Sequence, residues 1–419
     1  MTTRLYGVSS RGAALCAVAL LLAAACSDGS AEAPASTAAP GTAMPDTASP
    51  DTAAADTAAP DTTADTLAPS STPAVSEYDF SAVAEIVEQF VGDNGLNGAG
   101  LVVVDADEGI IGQLYVGEFA ADRVSLVASS SKMITSGVLL RLQDQGLLDL
   151  DTPVGELVPW AGGNPGLTVA QMLSNSSGLV GLGPDPAYAP YLCQFIGTEL
   201  EACATDVMAT IADDADIVAP DTEFRYGGAQ WQVAGAVAET VSGKTWAQLL
   251  DETYVQPCGV QSLGYNNHWV TLGGGGFDYP AAFDPSELAP TENPHMEGGA
   301  YLNPVDYATL LLMHLRDGVC DGGRVLSAEA VAEAHADRIA AAWDGSAGTD
   351  TGYGLGWWID RPSGRISDAG AYGSVPWLDL GNGFGAYLVV EADSGTGNRL
   401  AATLYEPVEA AVLAGRASS

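Results

Sequence analysis

The stretch LVASSSKMITSGVLL, Leu126–Leu140, places a run of serines and one lysine at the head of an apolar segment. Lys132 is one of only two lysines in the chain, the other being Lys244. Ser129 and Lys132 are three positions apart, and on a helix such positions lie one turn apart on the same face. A serine hydroxyl is a weak nucleophile until its proton is taken. A lysine withdrawn from water can take it, because burial lowers the pKa of the amine and leaves it neutral. A helix starting here would add free N–H groups and partial positive charge that favour developing negative charge. A serine-rich helix cap followed by a lysine has the same appearance, so the pair alone does not decide the matter.

The elements that must position these residues can be read from periodicity. Residues 81–91 (SAVAEIVEQFV) have helical spacing, with Ser81 as a cap. GAGLVVVDADEG and IIGQLYVGEFA read as two strands joined by an Asp-Glu-Gly turn. The middle of the chain is helical over 131–146, 168–174, 230–241, 245–255, 304–316 and 326–337. The strand period returns in GLGWWIDR, GFGAYLVVEAD and RLAATLY, before a closing helix from about Pro407. Strands at both ends with helices between them predict an α+β fold: one antiparallel sheet flanked by helices, with a helical lobe inserted. The glycine-rich GLVGLG and GGGG follow no strand–helix pattern and carry no nucleotide fingerprint.

The chain has 419 residues, more than one ordinary domain needs. Residues 1–26 read as an export signal, with Arg4 and Arg11 ahead of the short apolar core AALCAVALLLAAAC. Three alanines precede Cys26, as in the lipobox of a bacterial lipoprotein, although Ala23 stands where leucine is commonest. Cys26 is then the lipidated first residue of the mature chain, anchored by its acyl groups. Residues 27–76 consist largely of Ala, Pro, Thr, Ser and Asp, with Pro-Asp-Thr recurring at Pro45, Pro50 and Pro60. Such a segment buries too little surface to offset the entropy of ordering and reads as a disordered tether. The folded domain is expected over 77–419.

The formal charge is −39, to which the tether contributes only seven acidic residues. This excludes nucleic acid and anionic lipid surfaces as partners, since both would be repelled. No Cys/His cluster has zinc spacing, and His268, His295, His314 and His335 are scattered, so neither a metal nor a cofactor is expected. Four cysteines remain after export, Cys193, Cys203, Cys258 and Cys320, and an oxidising compartment leaves three pairings open. Cys193–Cys203 with Cys258–Cys320 would close a short loop and leave one long-range bridge.

Beyond the first motif the chain carries, in order, RLQDQGLLDLDTPVGELVP, LTVAQMLSNSSGL, EFRYGGAQWQVAGAVAETVSGKTW, GGAYLNPVDYATLLLMHLRDG, LSAEAVAEA and YGLGWWIDRPSGRISDAGAYGSVPW. Together they resemble the class C β-lactamase and DD-peptidase superfamily of serine hydrolases, with its esterase branches, over most of residues 80–405. The resemblance implies a β-lactamase/transpeptidase-like fold and serine–lysine acyl-enzyme chemistry. It casts Ser129 as nucleophile, Lys132 as its proton partner, and Tyr226 of RYGG as the phenol that moves protons with the lysine. GAYG (Gly370–Gly373) fits the third motif, which places Ala371, Tyr372 and Gly373 on a strand lining the substrate cleft. The backbone N–H groups of Ser129 and Ser374 would form the oxyanion hole.

Two departures bear on substrate. Gly228 stands where the family has an asparagine that helps to hold an acylamino side chain. Ala371 stands where the third motif opens with a lysine or histidine that meets a substrate carboxylate. His295, just ahead of Glu297-Gly298-Gly299, reads as an exposed loop histidine rather than a replacement for that cation. The expectation is an exported, lipid-anchored serine hydrolase of the cell envelope, acting through a Ser129 acyl-enzyme on a small uncharged ester or amide. The alternatives are a DD-peptidase or β-lactamase acting on cell-wall peptides or β-lactams, and a non-catalytic cell-surface binding protein on the same fold.

Overall fold

Eight consecutive buried residues form the first strand, β1 (Gly98–Asp105), and their alternation divides the molecule in two. Leu101 and Val103 pack toward helices at the chain ends, whereas Val102 and Val104 pack toward the helical lobe. A strand covered on both faces reads as a nearly continuous apolar run, as GAGLVVVD does. The structure is a computed structural model. It describes residues 78–418 except 182–188, 196–198, 211–215, 269–278, 281–282, 289–290, 340–343 and 346–347. The expected signal peptide, Cys26 and the tether lie outside the described residues.

The sheet contains β1, β2 (Gly109–Gly117), β3 (Thr351–Tyr353), β4 (Trp358–Asp360), β5 (Ile366–Ser367), β6 (Ser374–Asp379) and β7 (Phe384–Val389). Its order is β3-β4-β5-β6-β7-β1-β2, every neighbour antiparallel, so the two chain ends meet where β7 pairs with β1. On one face lie α1 (Ser81–Asn94) and the C-terminal helix, with Val83, Val87 and Val91 of α1 in the shared core. The other face carries the inserted lobe. It contains α2 (Lys132–Asp144), α3 (Leu200–Thr210), α4 (Ala229–Ser242), α5 (Pro304–Leu315) and α6 (Ala328–His335), the C-terminal helix being α7 (Ser394–Ser418). This is the predicted α+β, β-lactamase/transpeptidase-like architecture.

Three details differ from the periodicity. RLAATLY is helix, not strand, and α7 begins at Ser394 and runs through Pro407. Leu400, Leu404, Val408 and Val412 recur every four residues and are all fully buried, a helical stripe that faces the sheet. Pro407 removes only one intrahelical bond from that long run. α3 was not anticipated; Leu200, Cys203, Ala204, Val207 and Met208 form its buried face. The segment expected as helix 245–255 is an α-turn over Trp246–Leu250 that widens to a π-turn over Asp251–Val255.

Both disulfides take the short-loop-plus-long-bridge pairing. Cys193–Cys203 ties the turn Ala189–Phe195 to α3, and Cys258–Cys320 spans 62 residues.

Candidate active site

Ser129 lies in a single 3₁₀ turn, Ala128–Ser131, that feeds directly into α2. Ala128 adopts a left-handed backbone with φ of 46°, a conformation that costs a non-glycine residue of order 1 kcal/mol. The three serines that follow have separate fates. Ser130 is fully buried and donates to the carbonyl of Asp368 at 2.5 Å. Ser131 is also buried; it donates to the Ala128 carbonyl at 2.6 Å and accepts from the Ala300 amide at 2.9 Å. Ser129 alone is partly exposed, and its hydroxyl makes no hydrogen bond among the described residues. The two neighbours fix the turn and the third hydroxyl is presented.

Lys132, one turn on, is completely buried. Its Nζ donates to the Glu297 carbonyl at 3.1 Å and lies 3.2 Å from Glu297 Oε2. It also stands 4.4 Å from the ring centroid of Tyr226 and 5.7 Å from that of Trp231. Burial is the largest influence on this amine and works against its charge. Tyr226, Glu297 and Asp368 together outweigh burial and hold the Lys132 pKa above that of an ordinary lysine. The sequence expectation of a neutral amine is therefore corrected, because the lysine was read without the carboxylates that fold against it.

Those carboxylates were not anticipated. Glu297 is 6% exposed; burial pushes its pKa up, but Lys132 and His295 prevail and bring it down to about 2. Asp368 accepts from the Met133 amide at 3.0 Å, and burial pushes its carboxyl well above the carboxylate range. Lys132 and Glu297 thus form a buried ion pair beneath Ser129, with the Asp368 carboxyl buried beside them.

Tyr226 precedes α4 and is partly buried in an aromatic wall. It stacks on Trp358 at 5.4 Å between centroids and meets Tyr353 edge-on at 6.3 Å. Burial keeps its phenol pKa raised despite the neighbouring ammonium. The loop that carries it is held by Asn175 of the SNSS stretch. Asn175 Oδ1 accepts from Gln230 Nε2 at 2.7 Å and from Trp231 Nε1 at 3.2 Å, and its carbonyl accepts from the Arg225 amide at 2.8 Å. Gly228 caps the start of α4 directly beside the Glu297 carboxylate.

The third-motif residues, expected on a strand, instead form the turn between β5 and β6, and the strand begins at Ser374. Ala371 and Tyr372 pack with Ala128, the residue before Ser129. The Tyr372 hydroxyl lies 2.9 Å from His268 Nε2, and burial, aided by His295, pushes that imidazole down to about 3. Gly373 has φ of 77°, and a side chain there would press on Val390. Ser374 is fully buried behind Ser130; its hydroxyl donates to Ser130 Oγ at 2.9 Å and its carbonyl accepts from the Gly370 amide at 2.7 Å. His295 is 2% exposed and sits 3.4 Å from Glu297 Oε1, so this loop histidine is buried against the site and not exposed as expected.

The antiparallel sheet with an inserted helical lobe, and the Ser-x-x-Lys turn at their junction, define a β-lactamase-fold serine hydrolase class. The chain belongs to the β-lactamase family, whose profile matches residues 83–409. It is 28% identical to penicillin-binding protein 4 of Amycolatopsis lactamdurans over 321 residues, 71% of this chain and 81% of that protein. Among solved structures it superposes on EstCE1, a hydrolase with promiscuous acyltransferase activity, with a TM-score of 0.64 and 19% identity over 78% of this chain and 97% of that one. A penicillin-binding protein homologue from Caulobacter crescentus gives a TM-score of 0.61 and 18% identity over 79% and 97% of the two chains. These two likenesses concern the fold.

Proposed function

We propose that the protein hydrolyses uncharged esters or amides through an acyl-enzyme on Ser129. The observation that carries this reading is the division among the three serines, with Ser129 presented while Ser130 and Ser131 are consumed by structure. Ser129 Oγ bonds to the substrate carbonyl carbon, and the carbonyl oxygen takes up the negative charge. The Tyr226 oxygen accepts the serine proton as its own phenolic proton passes to the departing oxygen or nitrogen. The Lys132 ammonium stabilises the charge that gathers on the phenol meanwhile. Water then takes the place of the leaving group, and the same relay in reverse releases the acid and restores Ser129.

The Ser129 amide is one oxyanion donor in this reading, and the Ser374 amide is the other. Gly370 and Gly373 spend their amides within the turn, whereas that of Ser129 has no partner among the described residues.

The leaning toward uncharged substrates rests on Ala371, which brings no cation to the cleft, and on the aromatic face of Tyr226 and Trp358. A second reading, DD-peptidase or β-lactamase, is supported by the likeness to penicillin-binding protein 4. We further propose export and lipid anchoring at Cys26, a placement supported by the two disulfides, which persist in oxidising compartments. The deciding experiment treats the protein with a fluorophosphonate probe and locates the label. Modification of Ser129 supports the reading, and modification elsewhere, or none, overturns it.

A further inference from the structure

Gly228 and Glu297 are 69 residues apart in sequence and compete for one space. A Cβ placed on Gly228 would overlap the Glu297 carboxylate and stand 2.8 Å from Gln194 Nε2. That carboxylate is not free to swing away. Met296, beside it, donates its amide to Gln232 Oε1 at 2.6 Å and accepts from Thr135 Oγ1 at 2.7 Å through its carbonyl. Gln232 Nε2 further binds Asn293 Oδ1 at 2.7 Å and the Pro294 carbonyl at 3.0 Å. The Gly298 and Gly299 amides both return to the His295 carbonyl, which closes the segment into a tight turn. Glu297 is thus presented to Lys132 from a braced turn, into volume that any side chain at 228 would fill.

We propose that Glu297 is a positioning residue for Lys132 and takes over the polar site that an amide at 228 would otherwise occupy. Of the three donors on Nζ, one goes to the Glu297 carbonyl and one to its carboxylate, which aims the remaining N–H. The carboxylate differs from an amide in carrying charge, so it fixes the lysine as a cation as well as orienting it. It also brings no N–H to the cleft, and an acylamino group on a substrate finds no donor there. His295, buried against the other carboxylate oxygen, holds Glu297 from the far side.

The proposal rests on the acyl-enzyme reading, and its test keeps the two apart. Four variants of the whole protein are compared with wild type: Gly228→Asn, Glu297→Gln, Glu297→Ala and the double Gly228→Asn/Glu297→Ala. The readouts are the rate of fluorophosphonate labelling at Ser129 across pH, and the melting temperature. Gly228→Asn and Glu297→Ala should each slow labelling by about 100-fold, within the range for a group that assists proton transfer. The double variant should recover at least about tenfold over the slower single, since the amide then enters emptied space. Its melting temperature should likewise exceed that of Gly228→Asn. Glu297→Gln, nearly isosteric and the variant least prone to misfold, should label with the alkaline limb moved to lower pH, because the lysine loses the charge that kept it protonated. No Ser129 labelling of wild type would overturn the acyl-enzyme reading and this proposal with it. Normal wild-type labelling with an unshifted Glu297→Gln profile, or single-variant losses that simply multiply in the double, would overturn this proposal alone.

Discussion

Lys132 Nζ and Glu297 Oε2 stand 3.2 Å apart with the lysine fully buried, an ion pair inside the fold rather than at its surface. Two charges out of water are stable only while both are present. Removing one leaves the other uncompensated at a cost of about 3–5 kcal/mol, whereas replacing both by apolar groups of similar volume is often neutral. Lys132→Met should therefore melt well below wild type, and Lys132→Met/Glu297→Leu should recover much of that loss while remaining inactive. Denaturant titration of the three proteins checks this; a double variant no more stable than the worse single would remove the pairing from the account.

Lys132→Arg should be nearly inactive although it keeps the charge. A guanidinium does not fit the enclosed site between Glu297, Tyr226 and Trp231, and its planar fork cannot reproduce the two contacts of Nζ. A loss of about 100-fold or more in esterase activity is expected. Activity close to wild type would show that the amine has no role beyond charge.

The three neighbouring serines separate function from architecture. Ser129→Ala should abolish probe labelling without lowering stability, because its hydroxyl has no hydrogen-bond partner among the described residues. Ser130→Ala should retain labelling but lose about 1–3 kcal/mol of stability, since it strands the Asp368 and Ser374 groups that the hydroxyl now joins. The reverse pattern would assign the nucleophile to Ser130.

Much of this site was legible because serine–lysine chemistry has a local spacing, and Ser129 and Lys132 sit on one helical turn whatever else the chain does. Tyr226, Gly228 and Ala371 were found through ordered motifs that resemble a family. Glu297 and Asp368 escaped because acidic residues are abundant in this chain, and nothing local marks which two fold against the only buried lysine. The signal for Glu297 was indirect: a missing side chain at Gly228 implied either an empty space or a replacement. The charge on Lys132 was misjudged for the same reason, as burial was readable from an apolar helix and its counter-charge was not. RLAATLY was read as strand because a segment so short fits both periods, and only the longer run to Val412 shows spacing by four.

The proposed leaning toward uncharged substrates is tested at Ala371. With Ala371 in place of a cation, p-nitrophenyl acetate should be turned over far faster than nitrocefin, and Ala371→Lys should shift the ratio toward the carboxylate-bearing β-lactam. Rapid nitrocefin hydrolysis that disappears in Ser129→Ala would show that the absent cation has been overread. Trp358→Ala should raise KM for aromatic esters more than for acetate esters, because it removes the face stacked on Tyr226.

Acid should weaken the fold before it affects the chemistry. His335 Nε2 lies 3.2 Å from His314 Nδ1, and both rings meet Trp357 edge-on. Burial pushes His335 down to about 4 and His314 well below the ordinary range, so both are neutral in the folded protein. In the unfolded chain each would titrate near 6.5. Between pH 6.5 and 4 the unfolded state binds more protons, so stability rises with pH there and falls on acidification. The His335 shift corresponds to about 3 kcal/mol when that window has been crossed. Glu297 adds a second loss in the same direction at lower pH, present in full above about 4.5 and disappearing as pH falls toward 2. Melting temperatures measured from pH 7 to 4 should thus decline steeply in wild type and more gently in His335→Gln. Parallel slopes in the two proteins would mean that the histidine pair does not govern acid stability, and that carboxylates elsewhere on this acidic surface do.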